Sequence, residues 1–382
     1  VPKLNQDVLR TPGSGIREIM NRVFTMPDAI RLEVGEPSFQ TPEHIQRAAF
    51  DAMQKGQTRY TPTVGLPELR EAVQGKLRRV NRVERPLEGI MATPGAGGGV
   101  FLALKTLLEA GDAILVPDPG WANYASAMTC LGLRGVPFGQ RPPSFVPDLD
   151  EIERLVVETG ARAVLVNFPS NPTGAVPDAS WIEAFSALAT RHDLWIVSDE
   201  VYDELIFEGE PVSPALYAPE RTVAIYSFSK TYAMTGWRLG YVAADAAVTP
   251  WLGRCAEQVW QSVAEPTQRA GVVALTGDQS CVVEMREAYR RRRDLAVATA
   301  REAGLSCYEP RGAFYLMVDV GASGKDSRTF ALDLLERERV AVVPGTAFGQ
   351  EAATMVRVSL AASEAQIAEG LRRVGRAVHA LA

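Results

Sequence analysis

Short β-branched and aromatic runs alternate with helix-length amphipathic stretches from about residue 90 to residue 244. This alternation limits the fold more than any other feature of the chain. MAT, AILVP, Leu133–Phe138, Ala163–Phe168, WIVS, TVAIY and Tyr241–Ala244 read as strands, most of them bounded by Gly, Pro, Asp or Asn. Between them DLDEIERL and Ala179–Arg191 read as helices. Such an order predicts an α/β protein with a mostly parallel sheet. Further helices are predicted over Glu43–Gln54, where Pro42 suits a first turn, and over Ser363–Ala380. FYLMVDV, VAVVPG and MVRVSL are expected strands of a second, smaller unit, for which 382 residues leave room.

Bulk properties remove several functions. A formal net charge of −6 gives no general attraction to nucleic acid or to an anionic membrane. The basic run in YRRRRDLAV is read as a solvated helix face. No apolar run approaches the ~20 residues of a bilayer-spanning helix, and no signal-peptide core is expected. Cys130, Cys255, Cys281 and Cys307 lie far apart without a C-x-x-C pair, which suits reduced thiols in a cytoplasm. His44, His192 and His379 have no partner at metal-ligand spacing, so no metal site is expected. So few histidines also shift weight toward lysine-based chemistry.

SFSKTYAMTGWRLGY, residues 227–241, follows the TVAIY strand and places Lys230 just past its end. A lysine lodged there loses hydration, which disfavours its charged form and leaves an amine able to form a Schiff base with an aldehyde. Ser227, Ser229 and Arg238 would suit a phosphate attached to that aldehyde. ATPGAGGGVF places bare N–H groups at a helix start, a ready anion site. Its spacing departs from the G-x-G-x-x-G of dinucleotide folds. WIVS delivers Asp199 at a strand end, where a buried carboxylate opposite a ring nitrogen would keep that nitrogen protonated. Each feature alone reads equally as a turn, a cap or a surface residue. Their company argues for a site.

The Ser227–Tyr241 string closely resembles the lysine motif of class I aminotransferases, pyridoxal-phosphate enzymes of fold type I, and the resemblance extends over nearly the whole chain. It implies a large domain (41–280) with a mostly parallel seven-stranded sheet sandwiched by helices. It also implies a small α/β domain (281–382), joined by an N-terminal segment (1–40). The implied cofactor is pyridoxal 5'-phosphate on Lys230. By the same resemblance Trp121 stacks on the pyridine ring and Asp199 faces its nitrogen. Asn171 of N-P-T-G and Tyr202 of D-x-x-Y hydrogen-bond its phenolic oxygen. Phosphate falls to the amides of Ala96 and Gly97, to Ser227, Ser229 and Arg238, and to Tyr60 of a neighbouring subunit. The last implies a homodimer with shared sites. Family members usually carry polar side chains at the Gly97 or Gly98 position, so this chain departs from the pattern there. Gly35 of G-E-P lies beside the substrate with Ile16 as its neighbour, and Arg357 takes the α-carboxylate. Lys230, Asp199 and Tyr202 form the catalytic group.

The implied activity moves the amino group of an L-amino acid to a 2-oxo acid such as 2-oxoglutarate, by a ping-pong mechanism. C–S lyases, decarboxylases and oxidative enzymes of the same fold share these contacts, and a non-catalytic cofactor-binding regulator is the reading from another class. One subgroup that handles acidic side chains carries an arginine where Trp260 stands, so that route to a second carboxylate is missing. Lys105 is read as solvated. Neutral, aromatic and acidic donors all stay open.

Overall fold

The computed structural model describes residues 2–380, so Val1, Leu381 and Ala382, at the outer limits of the first and last expected segments, lie outside the described residues. Seven strands build the central sheet: β1 (Ile90–Thr93), β2 (Ala113–Asp118), β3 (Arg134–Gly139), β4 (Ala163–Asn167), β5 (Trp195–Asp199), β6 (Thr222–Ser227) and β7 (Gly240–Ala243). Their order is β1-β7-β6-β5-β4-β2-β3. Strands β2 to β6 run parallel to one another, and β7 is antiparallel to both β1 and β6.

Every residue of β4 and β6 is buried. A parallel strand is covered on both faces, so its apolar run shows no alternation. Neighbouring residues of one strand accordingly enter different cores. Val197 packs with Val100, Leu104 and Val223, whereas Ile196 packs with Ile152, Phe185 and Val164.

The parallel strands end along one edge. Register sets Asn167 beside Asp199, Ser227 beside Gly240, and Gly240 beside Thr93. Three strand ends and the turn after β1 therefore meet, at the edge where open α/β sheets collect ligands.

A four-stranded antiparallel sheet follows, with order β10-β11-β9-β8: β8 (Cys307–Tyr308), β9 (Tyr315–Asp319), β10 (Val343–Pro344) and β11 (Met355–Ser359). VAVVPG is not the single strand expected. Val340–Ala341 pairs in parallel with Ile30–Arg31, and Val343–Pro344 pairs instead with β11. All of Val340–Val343 is buried, so the run looks uniform although its partners change midway.

The glycines after β1 form the opening turns of the helix Gly95–Leu107, with only Gly95 among them at positive φ (+76°). One further expectation needs correction. The YRRRR run is only partly solvated. Arg290 and Arg291 are exposed, but Arg293 is buried and pairs with Glu208 at 2.9 Å. Arg293 sits four residues after buried Tyr289, so both share the inward face of the Ser280–Glu302 helix.

Candidate active site

The turn after β6 is shaped by a hydroxyl. Ser227 Oγ accepts from the Ser229 N–H at 3.1 Å and caps the single helical turn Phe228–Thr231 that carries Lys230. The amine of Lys230 enters a cavity of about 380 Å³ and donates to Gly35 O at 2.6 Å. Loss of hydration pushes that amine down to about 8. Glu36 opposes the shift, while Arg357 and Arg238 add to it. About a tenth of such amines are free base at pH 7.

Asp199 ends β5 and points into the same cavity. Its Oδ2 accepts from the Tyr124 hydroxyl at 2.6 Å, but its Oδ1 is buried without a partner. Burial pushes the carboxyl up to about 6, against the Tyr124 hydrogen bond, the nearby Val201 backbone N–H and the Lys230 charge, which pull it down. An orphaned buried polar atom costs roughly 1–3 kcal/mol. A protonated ring nitrogen would satisfy it.

A chain of amides joins Asp199 to the substrate side. Asn167 Nδ2 donates to Asp199 O at 2.8 Å, and Asn167 Oδ1 accepts from the Asn171 N–H at 2.8 Å. Arg357 Nη1 donates to Asn171 Oδ1 at 2.9 Å, which leaves the Asn171 amide nitrogen as the donor available to a ligand. Arg357 is 1 % exposed and stacks 4.2 Å over Tyr315 and 4.9 Å over Phe348. Its Nη2 donates to Glu33 O, and its Nε has no partner. A buried cation bonded only to neutral oxygens calls for an anion. Tyr202 and Tyr315 share a hydrogen bond at 2.9 Å between their hydroxyls.

The opposite end of the cavity is cationic. A Cβ on Gly95 would collide with Arg238 Nη2, and one on Gly240 would lie 3.0 Å from Ala96 N. Glycine at both places lets the guanidinium and the helix start close up. Arg238 itself sits at φ +54°, held by Nη1 donating to Thr235 O at 2.7 Å. With the amides of Ala96 and Gly97 at the helix N-terminus, this forms a cradle for a phosphate-sized anion.

Every ligand-contact residue singled out from the sequence lines this one cavity, except Tyr60. Tyr60 is 87 % exposed on its own chain. Lys105 is exposed and Trp260 is half-buried, and neither reaches the cavity.

A family profile described as aminotransferase class I and II matches residues 27–374. This chain belongs to that family. Aspartate aminotransferase of Pyrococcus horikoshii is 38 % identical to this aminotransferase over 97 % of the chain and 96 % of its own length. Arginine–pyruvate transaminase of Pseudomonas aeruginosa is 37 % identical, over 92 % and 91 %. A solved structure of Thermus thermophilus aspartate aminotransferase with maleate has a TM-score of 0.94 at 36 % identity and covers 99 % of this chain and 100 % of that one. The architecture is fold type I, and the enzyme is of the pyridoxal-phosphate-dependent aminotransferase class.

Among the cavity residues of this aminotransferase that escaped the sequence reading, Tyr124, Asn167 and Tyr315 are the ones that orient other site groups. Tyr124 lies one helical turn after Trp121, and Asn167 is the last residue of β4. Those positions are the signals that could have found them. Tyr315 opens β9 in the other sheet and carries no local mark.

Proposed function

We propose that this aminotransferase holds pyridoxal 5'-phosphate at Lys230 and moves the amino group of an L-amino acid to a 2-oxo acid, 2-oxoglutarate being the favoured acceptor. One observation carries the reading. The buried, unpartnered Asp199 Oδ1 faces the same cavity as the Lys230 amine and the Arg238 cradle. A ring with a basic nitrogen, an aldehyde and a phosphate answers all three.

When bound, the cofactor supplies an electron sink conjugated to the amino acid's Cα. Asp199, held ionised by Tyr124, keeps the ring nitrogen cationic. Trp121 would cover a ring face and exclude water. Asn171 and Tyr202 would hold the phenolic oxygen, and Ala96, Gly97, Ser227, Ser229 and Arg238 would hold the phosphate. Arg357 clamps the substrate carboxylate beside Gly35 and Ile16, which decides which Cα bond stands across the ring. Lys230, the amine nearest Cα once substrate is seated, takes the Cα proton. Its lowered pKa supports that role, since a base works best near the operating pH. The two half-reactions share these groups, hence a ping-pong scheme.

We also propose a homodimer in which Tyr60, exposed on its own chain, reaches the phosphate of the other copy. The segments 41–280 and 281–382 would serve as large and small domains, with residues 1–40 joining the small one. Four free thiols suit a reducing, cytoplasmic setting.

Purified protein mixed with pyridoxal phosphate should turn yellow, and borohydride should fix the label on the peptide carrying Lys230. Lys230→Ala should lose the colour, the label and amino transfer to 2-oxoglutarate. Full turnover by that variant, or a label elsewhere, contradicts the proposal. Release of ammonia or sulfide in place of amino transfer would favour an eliminating lyase.

A further inference from the structure

Gly97, Gly98 and Gly99 occupy consecutive positions near the start of one helix, yet packing demands only two of them. A Cβ on Gly98 would lie 2.9 Å from Pro94 Cγ. One on Gly99 would lie 2.9 Å from Ile225 Cγ2 and 3.3 Å from Val242 Cγ2. At Gly97 the added atom would meet Trp121 Cη2 alone, at 3.7 Å, an ordinary contact. Glycine is the least favourable residue after proline inside a helix. Its use at position 97 is therefore unexplained by the fold. The position lines the active-site cavity, so the missing side chain is open space beside Trp121.

The surroundings say what that space suits. Three cations line the cavity among the described residues: Lys230, Arg238 and Arg357. All three already have a task. Ile16, Met20 and Val34 add apolar wall, and the remaining charged groups are carboxylates: Asp199, which also has its task, and Glu36, which accepts from the Thr235 hydroxyl. A distal carboxylate on the substrate would meet no free cation of this chain and one like charge.

We infer that Gly97 sets donor specificity by leaving room for a bulky uncharged side chain, and that dicarboxylic amino acids are the poor donors. This rests on the aminotransferase reading above. Acidic substrates need a charge partner that the described residues of this chain do not supply, whereas an apolar side chain needs volume and an apolar wall, and both are present.

The test uses the cofactor-loaded enzyme and the spectral change of its bound cofactor with L-phenylalanine, L-leucine, L-alanine, L-aspartate and L-glutamate. For the wild type, kcat/KM with phenylalanine or leucine should exceed that with either acidic donor by tenfold or more. Gly97→Val should lower the phenylalanine-to-alanine ratio of kcat/KM at least tenfold. Gly97→Ala, whose methyl fits without displacement, should lower it about threefold and keeps the test alive if the valine variant does not fold. A ratio within one variant cancels any change in cofactor grip. Aspartate or glutamate matching the apolar donors, or unchanged ratios in a folded variant, overturns this inference alone. Absence of conversion with every donor overturns the aminotransferase reading and this inference with it.

Discussion

Tyr124→Phe removes one hydroxyl from beneath the cofactor site and leaves the ring that packs edge-on against Trp121 at 5.4 Å. The lost contact is the 2.6 Å donation to Asp199 Oδ2. A hydrogen bond to a charged group is worth about 1.5–3 kcal/mol, and one pKa unit corresponds to about 1.4 kcal/mol. The Asp199 carboxyl, at about 6 in the wild type, should therefore rise by about 1–2 units. Only the ionised carboxylate pairs with a ring cation, so cofactor affinity falls as pH drops through that pKa. At pH 7 roughly nine-tenths of wild-type carboxyls are ionised, against roughly a tenth to a half in the variant. Spectrophotometric titration of the cofactor-free protein with pyridoxal phosphate from pH 5.5 to 9 should show a two- to tenfold weaker variant near pH 7, a gap that closes by pH 9. Lys230 titrates in both proteins and cancels in the comparison. Asp199→Asn should flatten the acid limb. If wild type and Tyr124→Phe gave parallel curves, or a gap independent of pH, the assigned role of the hydroxyl would be wrong.

Asp199→Asn makes a second prediction of opposite sign. The folded carboxyl titrates at about 6 against 3.8 for the ordinary group, so the folded state holds its proton more tightly. Stability of the cofactor-free protein is then lost as pH rises from about 4 to 6, and at pH 8 asparagine should recover up to about 3 kcal/mol in urea unfolding, while cofactor binding and turnover collapse. Arg357→Lys keeps the charge but loses the two-pronged grip on a carboxylate. Steady-state kinetics should show kcat/KM down about 30- to 150-fold for every donor, from about 2–3 kcal/mol. Lys76 and Asp203 form a buried ion pair that Asn81 also bonds. Lys76→Met should cost about 3–5 kcal/mol in denaturant melts, and Lys76→Met with Asp203→Leu should restore most of it.

What the amino-acid order revealed and what it hid divide along one physical line. Lys230, Asp199 and Asn171 were legible because each ends a buried strand or its loop, and such ends have their own composition: SFSK, SDEVY, SNPTG. Strands β2, β4, β5 and β6 were legible for the same reason, since coverage on both faces leaves nearly uninterrupted apolar, β-branched runs, whereas β3 is half-exposed at the sheet edge. Hidden were the features decided by a partner far along the chain. Tyr124 meets Asp199 across 75 positions, and Tyr202 meets Tyr315 across 113. VAVVPG could not disclose that its halves join different sheets, because both partners ask for the same residue types.

The hidden groups share a second property. They orient other side chains and touch the chemistry only through them. Tyr124 and Asn167 steady Asp199, and Tyr315 lies under Arg357. The legible groups, by contrast, are those that the fold leaves uncomfortable. Asp199 has a bare buried oxygen, Arg238 sits at a positive φ, Lys230 has lost part of its basicity, and Arg357 is a buried cation among neutral partners. Such costs cluster at functional sites, where binding can offset them. Here all four converge on one cavity, and under the proposed function the aldehyde, ring nitrogen and phosphate of one ligand, joined by a carboxylate-bearing amine, would engage the amine, the bare oxygen and both guanidinium groups.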